Sequence, residues 1–195
     1  MVISNIEIMG LESSMIAAGY PVRTETGPRE LKDNDYKRAF RLTEKSRKNP
    51  AEGQWLTGVV VNFDLTFSNK AWVEAERYRF LNFVSSQSTM HAILKFDIKK
   101  QCNSYVDERI INVVEDLKRQ YNENPTKENY LALLYNIPAG FCLTARMTTT
   151  YRCLLNMYLQ RHDHRLPEWR QFCEQLLELP LFRELISLYL GEDDE

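Results

Sequence analysis

The 195-residue sequence lacks the signatures of several protein classes. It contains neither a GxGxxG nor a GxxxxGK[ST] segment, so both standard phosphate-binding loops are absent. Its four cysteines share no CxxC spacing and its three histidines offer only one close pair, a pattern that predicts no metal site. Glycine and proline number only seven each, which argues against a disordered or fibrous chain.

Long apolar runs and a basic excess are also missing. The uncharged apolar stretches fall far below the roughly 18 residues that a membrane span needs, and the first residues do not resemble a signal peptide. We therefore expect a cytoplasmic protein with reduced, buried cysteines. Lysine and arginine number 25 against 27 aspartates and glutamates, so the net charge of −2 excludes a general coat for nucleic acid or for an anionic membrane.

Hydrophobic periodicity predicts an α+β fold in a single domain over residues 1–195. A period of two runs through residues 56–69 and predicts a half-buried strand. Further strands are predicted at residues 2–9, 92–98 and 141–148, and helices at 11–19, 29–47, 70–84, 107–122, 126–135, 151–162, 167–179 and 181–190. We expect a small mixed or antiparallel sheet packed against several helices, a helical C-terminus and a frayed acidic tail at residues 191–195.

The first unusual segment carries two arginines followed by a polar stretch. Arg77 and Arg79 precede residues 82–91, in which seven of ten side chains carry a hydroxyl, amide or imidazole group. Short hydroxyls compete for backbone hydrogen bonds, so we expect the helix to end there in a loop with exposed donors. Such a loop could bind an anion or a nucleotide. The alternative is a surface helix followed by a polar turn.

The second unusual segment is the helix predicted at residues 151–162. Arg152, Asn156 and Gln160 stand at i, i+4 and i+8 and share one face, with Arg161 beside them. Such a line can hydrogen-bond a phosphate and a base edge together. From residue 140 onward the chain has six arginines and no lysine, which also favours bidentate recognition. The alternative is a solvated face paired with carboxylates such as Glu168 and Glu174.

Together the two segments resemble the signatures of flavin-dependent thymidylate synthases, the ThyX family. The family's first signature is R-H-R followed by a Ser/Asn/Glu loop, and its second is N-x-R-x-L-x-N-F-L-x-L-R followed by A-Q-x-E-I. The sequence matches them at Arg77, Arg79, Ser88, Arg152, Leu154, Asn156, Leu159, Arg161 and Glu168. It is also similar to small phage and prophage proteins. The similarity covers about residues 53–98 and 134–175.

The resemblance implies a role for each matching residue. Catalytic roles would fall to Arg79, Ser88 and Arg161, and contacts with FAD to Arg77, Tyr78, Thr150 and Asn156. The pyrimidine deoxynucleotide, deoxyuridylate, would contact Arg79, Ser86, Gln87, Ser88, Arg152 and Arg161. In that family fixed cationic donors polarise the uracil and reduced flavin supplies hydride, without a cysteine nucleophile.

The resemblance also implies reactants and assembly. The full family activity transfers a one-carbon methyl group to the pyrimidine and uses NADPH and a folate donor. A chain of this length is short to enclose all of these ligands, and the family forms sites between subunits. We therefore expect a homo-oligomer, a tetramer or a dimer.

Departures from the signatures support a different function. Tyr78 and Gln54 stand where the family has histidine, and Leu134 where it has arginine. These changes suit a catalytically degenerate phage protein that binds a nucleotide, or one that binds a host factor or inhibits a host defence protein. Exposed aromatic residues would support such an interaction, and Trp55, Trp169 and Tyr189 are the candidates. A nucleic-acid surface of arginines and tyrosines within residues 146–170 is a third, weaker hypothesis.

Overall fold

Four strands form one antiparallel sheet, on which the helices pack. In the computed structural model, which describes residues 2–191, they are β1 (Ile3–Met9), β2 (Val60–Ser68), β3 (Asn82–Ser86) and β4 (Cys142–Thr150). Their order is β1-β2-β4-β3, so β2 and β4 are central and β1 and β3 are the edges. β2 and β4 pair along their whole length, from Val60 opposite Thr150 to Ser68 opposite Cys142. The sheet confirms the predicted α+β class and is antiparallel throughout.

Helices occupy most of the chain between and after the strands. They are α1 (Leu11–Ala17), α2 (Asp33–Lys45), α3 (Asn69–Ala75), α4 (Thr89–Ala92), α5 (Ile98–Gln101), α6 (Glu108–Glu123), α7 (Lys127–Tyr135), α8 (Tyr151–Arg161), α9 (Pro167–Leu176) and α10 (Phe182–Leu190). Two 3-10 helices, Tyr20–Val22 and Pro50–Gly58, lie before and after α2. The last three α-helices confirm the predicted helical C-terminal part. The predicted acidic tail lies, apart from Gly191, outside the described residues.

The alternation predicted for β2 is confirmed and explains the main core. Its odd-numbered residues from 61 to 67 are buried, whereas the even-numbered ones between them are half-buried. On the buried face the ring of Phe67 meets Trp169 and Phe172 of α9, with ring centroids 4.7 and 6.0 Å apart. Edge-to-face aromatic contacts of this kind add to the free energy of burial. The C-terminal helices therefore pack on the face that the alternation of β2 makes apolar.

A second, smaller core lies among α4 to α7. Its buried members are Ile93, Ile98, Ile111, Val114, Leu133 and Phe141. α6 contributes only some of its apolar residues to this core. Val114 is buried, but Ile110 and Val113 are exposed because α6 turns Ile111 toward this core instead.

Two elements were predicted wrongly. The helix expected over residues 70–84 ends at Ala75, and residues 82–86 instead form β3 on the open edge of β4. The hydroxyl of Thr149 on β4 donates to the carbonyl of Phe80 at 2.8 Å and ties the start of this segment to the sheet. The strand expected at residues 92–98 is a turn between α4 and α5, in which Ile93 and Ile98 reach the second core.

The remaining sequence expectations concern membranes, metals and cysteines. No helix within residues 2–191 is long and apolar enough to cross a membrane. The same residues contain no group of three His, Cys, Asp or Glu side chains placed to hold a metal ion. All four cysteines are free. Cys153 and Cys173 are buried as expected, whereas Cys102 and Cys142 are only partly buried.

Candidate functional site

A cavity of about 620 Å³ lies where β4 ends and α8 begins. The 3-10 helix of residues 50–58, the segment 77–80 after α3 and one face of α8, from Arg152 to Gln160, enclose it. Its lining residues are Gln54, Thr57, Arg77, Tyr78, Arg79, Phe80, Thr150, Arg152, Cys153, Asn156 and Gln160. The cavity thus brings together most of the site residues predicted from the sequence. Ser86, Gln87, Ser88 and Arg161 do not line it.

α8 directs a polar stripe into this cavity. Thr150 has an extended backbone, and its hydroxyl accepts a hydrogen bond from the Cys153 N–H at 3.4 Å, so α8 starts where β4 ends. The stripe consists of Arg152, Asn156 and Gln160, all of which line the cavity. This confirms the shared face predicted from their spacing. Other residues of α8 are buried in the core, which fixes the rotation of the helix.

Arg152 is held by neutral partners. Its guanidinium donates to the side-chain oxygen of Gln54 at 2.5 Å and to the carbonyl of Pro50 at 3.1 Å. The expectation of a solvated face paired with Glu168 or Glu174 is therefore wrong for Arg152. Neither partner is charged, so these two hydrogen bonds do not offset the positive charge of the guanidinium. Gln54, which departs from the family signature, was not among the site residues predicted from the sequence, although it lines the cavity.

Arg77 and Arg79 add further positive charge. Both side chains are exposed, and within residues 2–191 neither has a carboxylate partner. No aspartate or glutamate is among the residues that line the cavity. With Arg152 the cavity has three guanidinium groups without an opposing carboxylate. Guanidinium groups donate to phosphate in a bidentate manner, so the cavity suits a phosphate-bearing ligand.

Arg161 lies behind the cavity wall. Its Nε donates to the Tyr78 hydroxyl oxygen at 2.7 Å, and its Nη1 lies 3.1 Å from a carboxylate oxygen of Glu74. The guanidinium also lies 4.9 Å from the ring centroid of Trp169, and only 12% of the side chain is exposed. The Tyr78 hydroxyl donates in turn to Gln160 at 3.0 Å, and burial raises the pKa of Tyr78. Arg161 therefore supports Tyr78 and Gln160 instead of facing the cavity.

The chain is similar to known proteins in its structure but not in its sequence. No protein-family model and no curated protein matches the sequence. The structure, in contrast, matches the flavin-dependent thymidylate synthase ThyX of Helicobacter pylori complexed with FAD and dUMP. The identity is 15%, the TM-score is 0.74, and the match covers 98% of this chain and 99% of that one. A second H. pylori ThyX structure with FAD and dUMP matches at 16% identity and a TM-score of 0.72. That match covers 94% of this chain and 100% of the other.

This chain has the flavin-dependent thymidylate synthase fold. The match confirms the resemblance carried by the two arginine-bearing segments. It spans nearly the whole chain, so it extends well beyond those segments. At 15–16% identity the sequence is a divergent one, and the likeness shows the fold alone.

Within this ThyX fold, the polar residues 86–88 lie far from the cavity of their own chain. Ser86 pairs with Ala145 on β4, and Gln87 exchanges hydrogen bonds with the backbone of Thr144. The cavity lies at Thr150, six residues further along β4, which corresponds to about 20 Å of extended strand. The structure of one chain therefore does not bring Ser86, Gln87 and Ser88 to the other predicted site residues.

The aromatic residues considered for a protein interaction surface are not exposed. Trp55 and Trp169 are buried, and Tyr189 is partly buried against the main core. The expectation that they form such a surface is wrong. In this fold they pack the helices onto the sheet, which is the more frequent use of large aromatic side chains.

The arginines after residue 140 do not form one surface either. Arg146 pairs with Glu7 and Asp64 across the sheet, and Arg170 donates to backbone carbonyls. Arg152 and Arg161 point to the cavity and to Glu74 respectively. The preference for arginine over lysine therefore reflects several separate sites, each with its own partners.

The thiol nearest to the cavity is not activated. Cys153 lines the cavity, and burial raises the pKa of its thiol. Burial likewise raises the pKa of Cys142 to about 11 and that of Cys173 to about 12. A thiol is nucleophilic as the thiolate, so these three groups are poor nucleophiles at neutral pH.

Proposed function

We propose that this chain binds deoxyuridylate and FAD in the cavity at the start of α8 and acts as a flavin-dependent thymidylate synthase. The observation that carries the proposal is the convergence of Arg77, Arg79 and Arg152, with no carboxylate in the lining, at one cavity. The fold supports it, because two solved structures of this fold, both of H. pylori ThyX, are complexed with FAD and dUMP. The free cysteines suit a cytoplasmic protein, in a bacterial host cell if a phage encodes it.

The lining residues fit both ligands chemically. Both FAD and a nucleotide carry phosphate groups, which guanidinium donors bind well, and a ring edge, which the amides of Asn156 and Gln160 can hydrogen-bond. We assign FAD contacts to Arg77, Tyr78, Thr150 and Asn156. We assign nucleotide contacts to Arg79 and Arg152. The volume of about 620 Å³ lies within the range of a site for one small molecule.

The chain itself would position and polarise the substrate. Arg79 and Arg152 hold the phosphate and place positive charge beside the pyrimidine carbonyls, which stabilises the negative charge that develops there. FAD, once reduced by NADPH, would supply the hydride, and a folate donor would supply the one-carbon unit of the full activity. Arg161 holds Tyr78 and Gln160, and its catalytic role depends on release from Glu74.

The exposed strand β3 supports a homo-oligomer. It is an edge strand, all five of its residues are exposed, and Phe83 and Val84 are large and apolar. Such an edge is normally covered, because unpaired strand edges and apolar patches promote association. A dimer or tetramer formed there would carry residues 86–88 of one protomer toward the cavity of its partner. Ser86, Gln87 and Ser88 would then contact the nucleotide, with Ser88 in a catalytic role.

Replacing Arg79 tests the ligand site. We expect Arg79→Ala to weaken deoxyuridylate binding by about 10- to 150-fold, since a hydrogen bond to a charged group contributes about 1.5–3 kcal/mol. Calorimetric titration measures the affinity, and the visible spectrum of the purified chain reports bound flavin. Arg119→Ala, which removes an arginine paired with Asp116 on α6, is the matched control and should bind as the unchanged chain does. A colourless protein that ignores deoxyuridylate would refute the proposal.

Replacing Val84 tests the assembly. We expect Val84→Asp to yield monomers in light scattering, because the new carboxylate is desolvated when β3 is covered by a second copy. Val22→Asp places the same change at an exposed valine outside the sheet and should leave the molar mass unchanged. If the unchanged chain is itself a monomer, the shared site is excluded. If Val84→Asp keeps the mass of the unchanged chain, β3 is not the interface.

A nucleotide-binding protein without catalysis is the second candidate. The observation that favours it is the position of Arg161, which Glu74, Tyr78 and Trp169 hold away from the cavity. Such a protein could serve as a phage module that binds a host factor or a defence protein. It would bind deoxyuridylate in the titration above and show no turnover with FAD, NADPH and the folate donor present.

A further inference from the structure

A second cavity shares Gln54 with the first. It measures about 540 Å³ and lies between the end of α1, the 3-10 helix of residues 20–22, α2 and the 3-10 helix of residues 50–58. Leu42 and Trp55 are among the residues that give it mainly apolar walls, while Glu52 and Gln54 add a carboxylate and an amide. None of the three arginines of the first cavity lines it. It is therefore a separate volume with its own chemistry.

One end of this cavity opens onto a basic stripe of α2. Asn34, Lys37, Arg38 and Arg41 stand at i, i+3, i+4 and i+7 and line a surface depression of about 260 Å³. Arg38 and Arg41 line the depression and the second cavity as well. An apolar interior thus continues into a cationic mouth, and a ligand with an apolar ring and an anionic tail would match both parts.

The charges around this mouth are not balanced by the protein. Arg38 shares the carboxylate of Asp35 with Arg23 and Arg29, so one negative charge faces three guanidinium groups. Lys37 and Arg41 are exposed and have no carboxylate partner within residues 2–191. Residues 23–48 contain nine lysines and arginines but five aspartates and glutamates, in a chain of net charge −2. A bound anion would relieve the mutual repulsion of these cations.

We propose that the second cavity binds a nucleoside phosphate. The base lies between the apolar walls at Leu42 and Trp55, and the phosphates accept hydrogen bonds from Lys37 and Arg41. Glu52 accepts from an exocyclic amino group, and the amide of Gln54 pairs with a ring nitrogen. Because Gln54 also holds Arg152, a ligand here can alter the first cavity. Apart from Gln54, none of its lining residues lines the first cavity.

The test uses ADP, inorganic pyrophosphate and adenosine as separate probes with the full chain. Calorimetry gives the dissociation constants, and quenching of Trp55 fluorescence, absent in Trp55→Phe, locates the ligand. We expect ADP to bind more tightly than pyrophosphate or adenosine. Arg41→Ala should raise the dissociation constant of ADP by about 10- to 100-fold. Lys127→Ala, which removes an exposed lysine of α7, and Arg79→Ala of the first cavity should leave it unchanged.

Several results would overturn the proposal. ADP binding that is lost in Arg79→Ala but kept in Arg41→Ala would place ADP in the first cavity. Pyrophosphate that binds as tightly as ADP would reduce the site to a basic surface patch. Quenching that persists in Trp55→Phe would mean that the base does not enter the second cavity. A failure of deoxyuridylate to bind does not affect these outcomes, so the two proposals are tested separately.

Discussion

Replacing Asp35 with asparagine is expected to lower the free energy of unfolding by about 3 kcal/mol, since removing one partner of a buried ion pair is strongly destabilising. The Asp35 side chain is 2% exposed, and one of its oxygens accepts from three guanidinium groups while the other accepts from the Lys32 N–H. An asparagine amide must point its NH₂ at one of these donors. The guanidinium groups keep 21–27% exposure, so water compensates part of the loss.

The pH dependence of stability gives a second measurement on the same carboxylate. The hydrogen bond from Arg29 is the largest of the interactions that lower the pKa of Asp35 from 3.8 to about 2, against an opposing effect of burial. Because the pKa is lower in the folded state, the stabilisation is complete above pH 4 and is lost as the pH falls from about 4 to 2. It amounts to about 2 kcal/mol. This component should be absent in Asp35→Asn.

Urea unfolding followed by circular dichroism measures both effects. The matched control is Asp33→Asn, which makes the same change in the first turn of α2 at an exposed position. This control substitution should lower the free energy of unfolding by less than about 1 kcal/mol, the size of a helix-terminus charge effect. Equal unfolding midpoints for the two variants would contradict a structural role for the ion pairs of Asp35 with Arg23, Arg29 and Arg38.

Replacing Trp169 with alanine is expected to lower the free energy of unfolding by about 3–5 kcal/mol, the range for deleting a buried tryptophan or phenylalanine side chain. Trp169 is fully buried, and its ring lies between Phe67 of β2 and Phe172 of α9. The guanidinium of Arg161 lies against the same ring, at 4.9 Å from its centroid. The substitution therefore opens a cavity in the core and removes one of the contacts that orient Arg161.

Tyr135→Ala is the control for Trp169→Ala, because Tyr135 is 84% exposed at the end of α7. It should shift the unfolding midpoint little, since surface substitutions usually stay within about 0.5 kcal/mol. A Trp169→Ala chain as stable as Tyr135→Ala would mean that α9 does not pack on the sheet as described. Trp169→Phe keeps an aromatic face and much of the buried volume, so it should lower the free energy of unfolding by less than Trp169→Ala does.

Local sequence patterns determined the parts of the fold that depend on neighbouring residues. The alternation in β2 and the i, i+4, i+8 spacing of Arg152, Asn156 and Gln160 each follow from the geometry of one strand or one helix. Both were confirmed, because one buried face is enough to orient either element. The failures lie at residues 82–86 and 92–98, where propensity and pairing disagree. An edge strand forms only if a neighbour offers its backbone, and β4 is distant in sequence.

Within the site, the neighbouring residues Gln160 and Arg161 also show where local sequence patterns stop being informative. They differ by one helical position, about 100° around the axis, and the sequence treated both as one polar face. In the structure Gln160 lines the cavity, whereas Arg161 pairs with Glu74 and stacks on Trp169. Which side of α8 faces the core depends on α3 and α9. The spacing of α8 alone carries no information about either helix.

The sequence by itself determined that the chain is α+β, that Arg152, Asn156 and Gln160 share a face, and that two arginine-bearing segments resemble the ThyX family. Only the tertiary structure decided that Arg77, Arg79 and Arg152 line one cavity, that Gln54 belongs to it, and that residues 86–88 lie about 20 Å away along β4. The physical reason is the separation along the sequence over which each effect acts. Periodicity and capping act over a few residues, whereas a cavity depends on how distant segments pack.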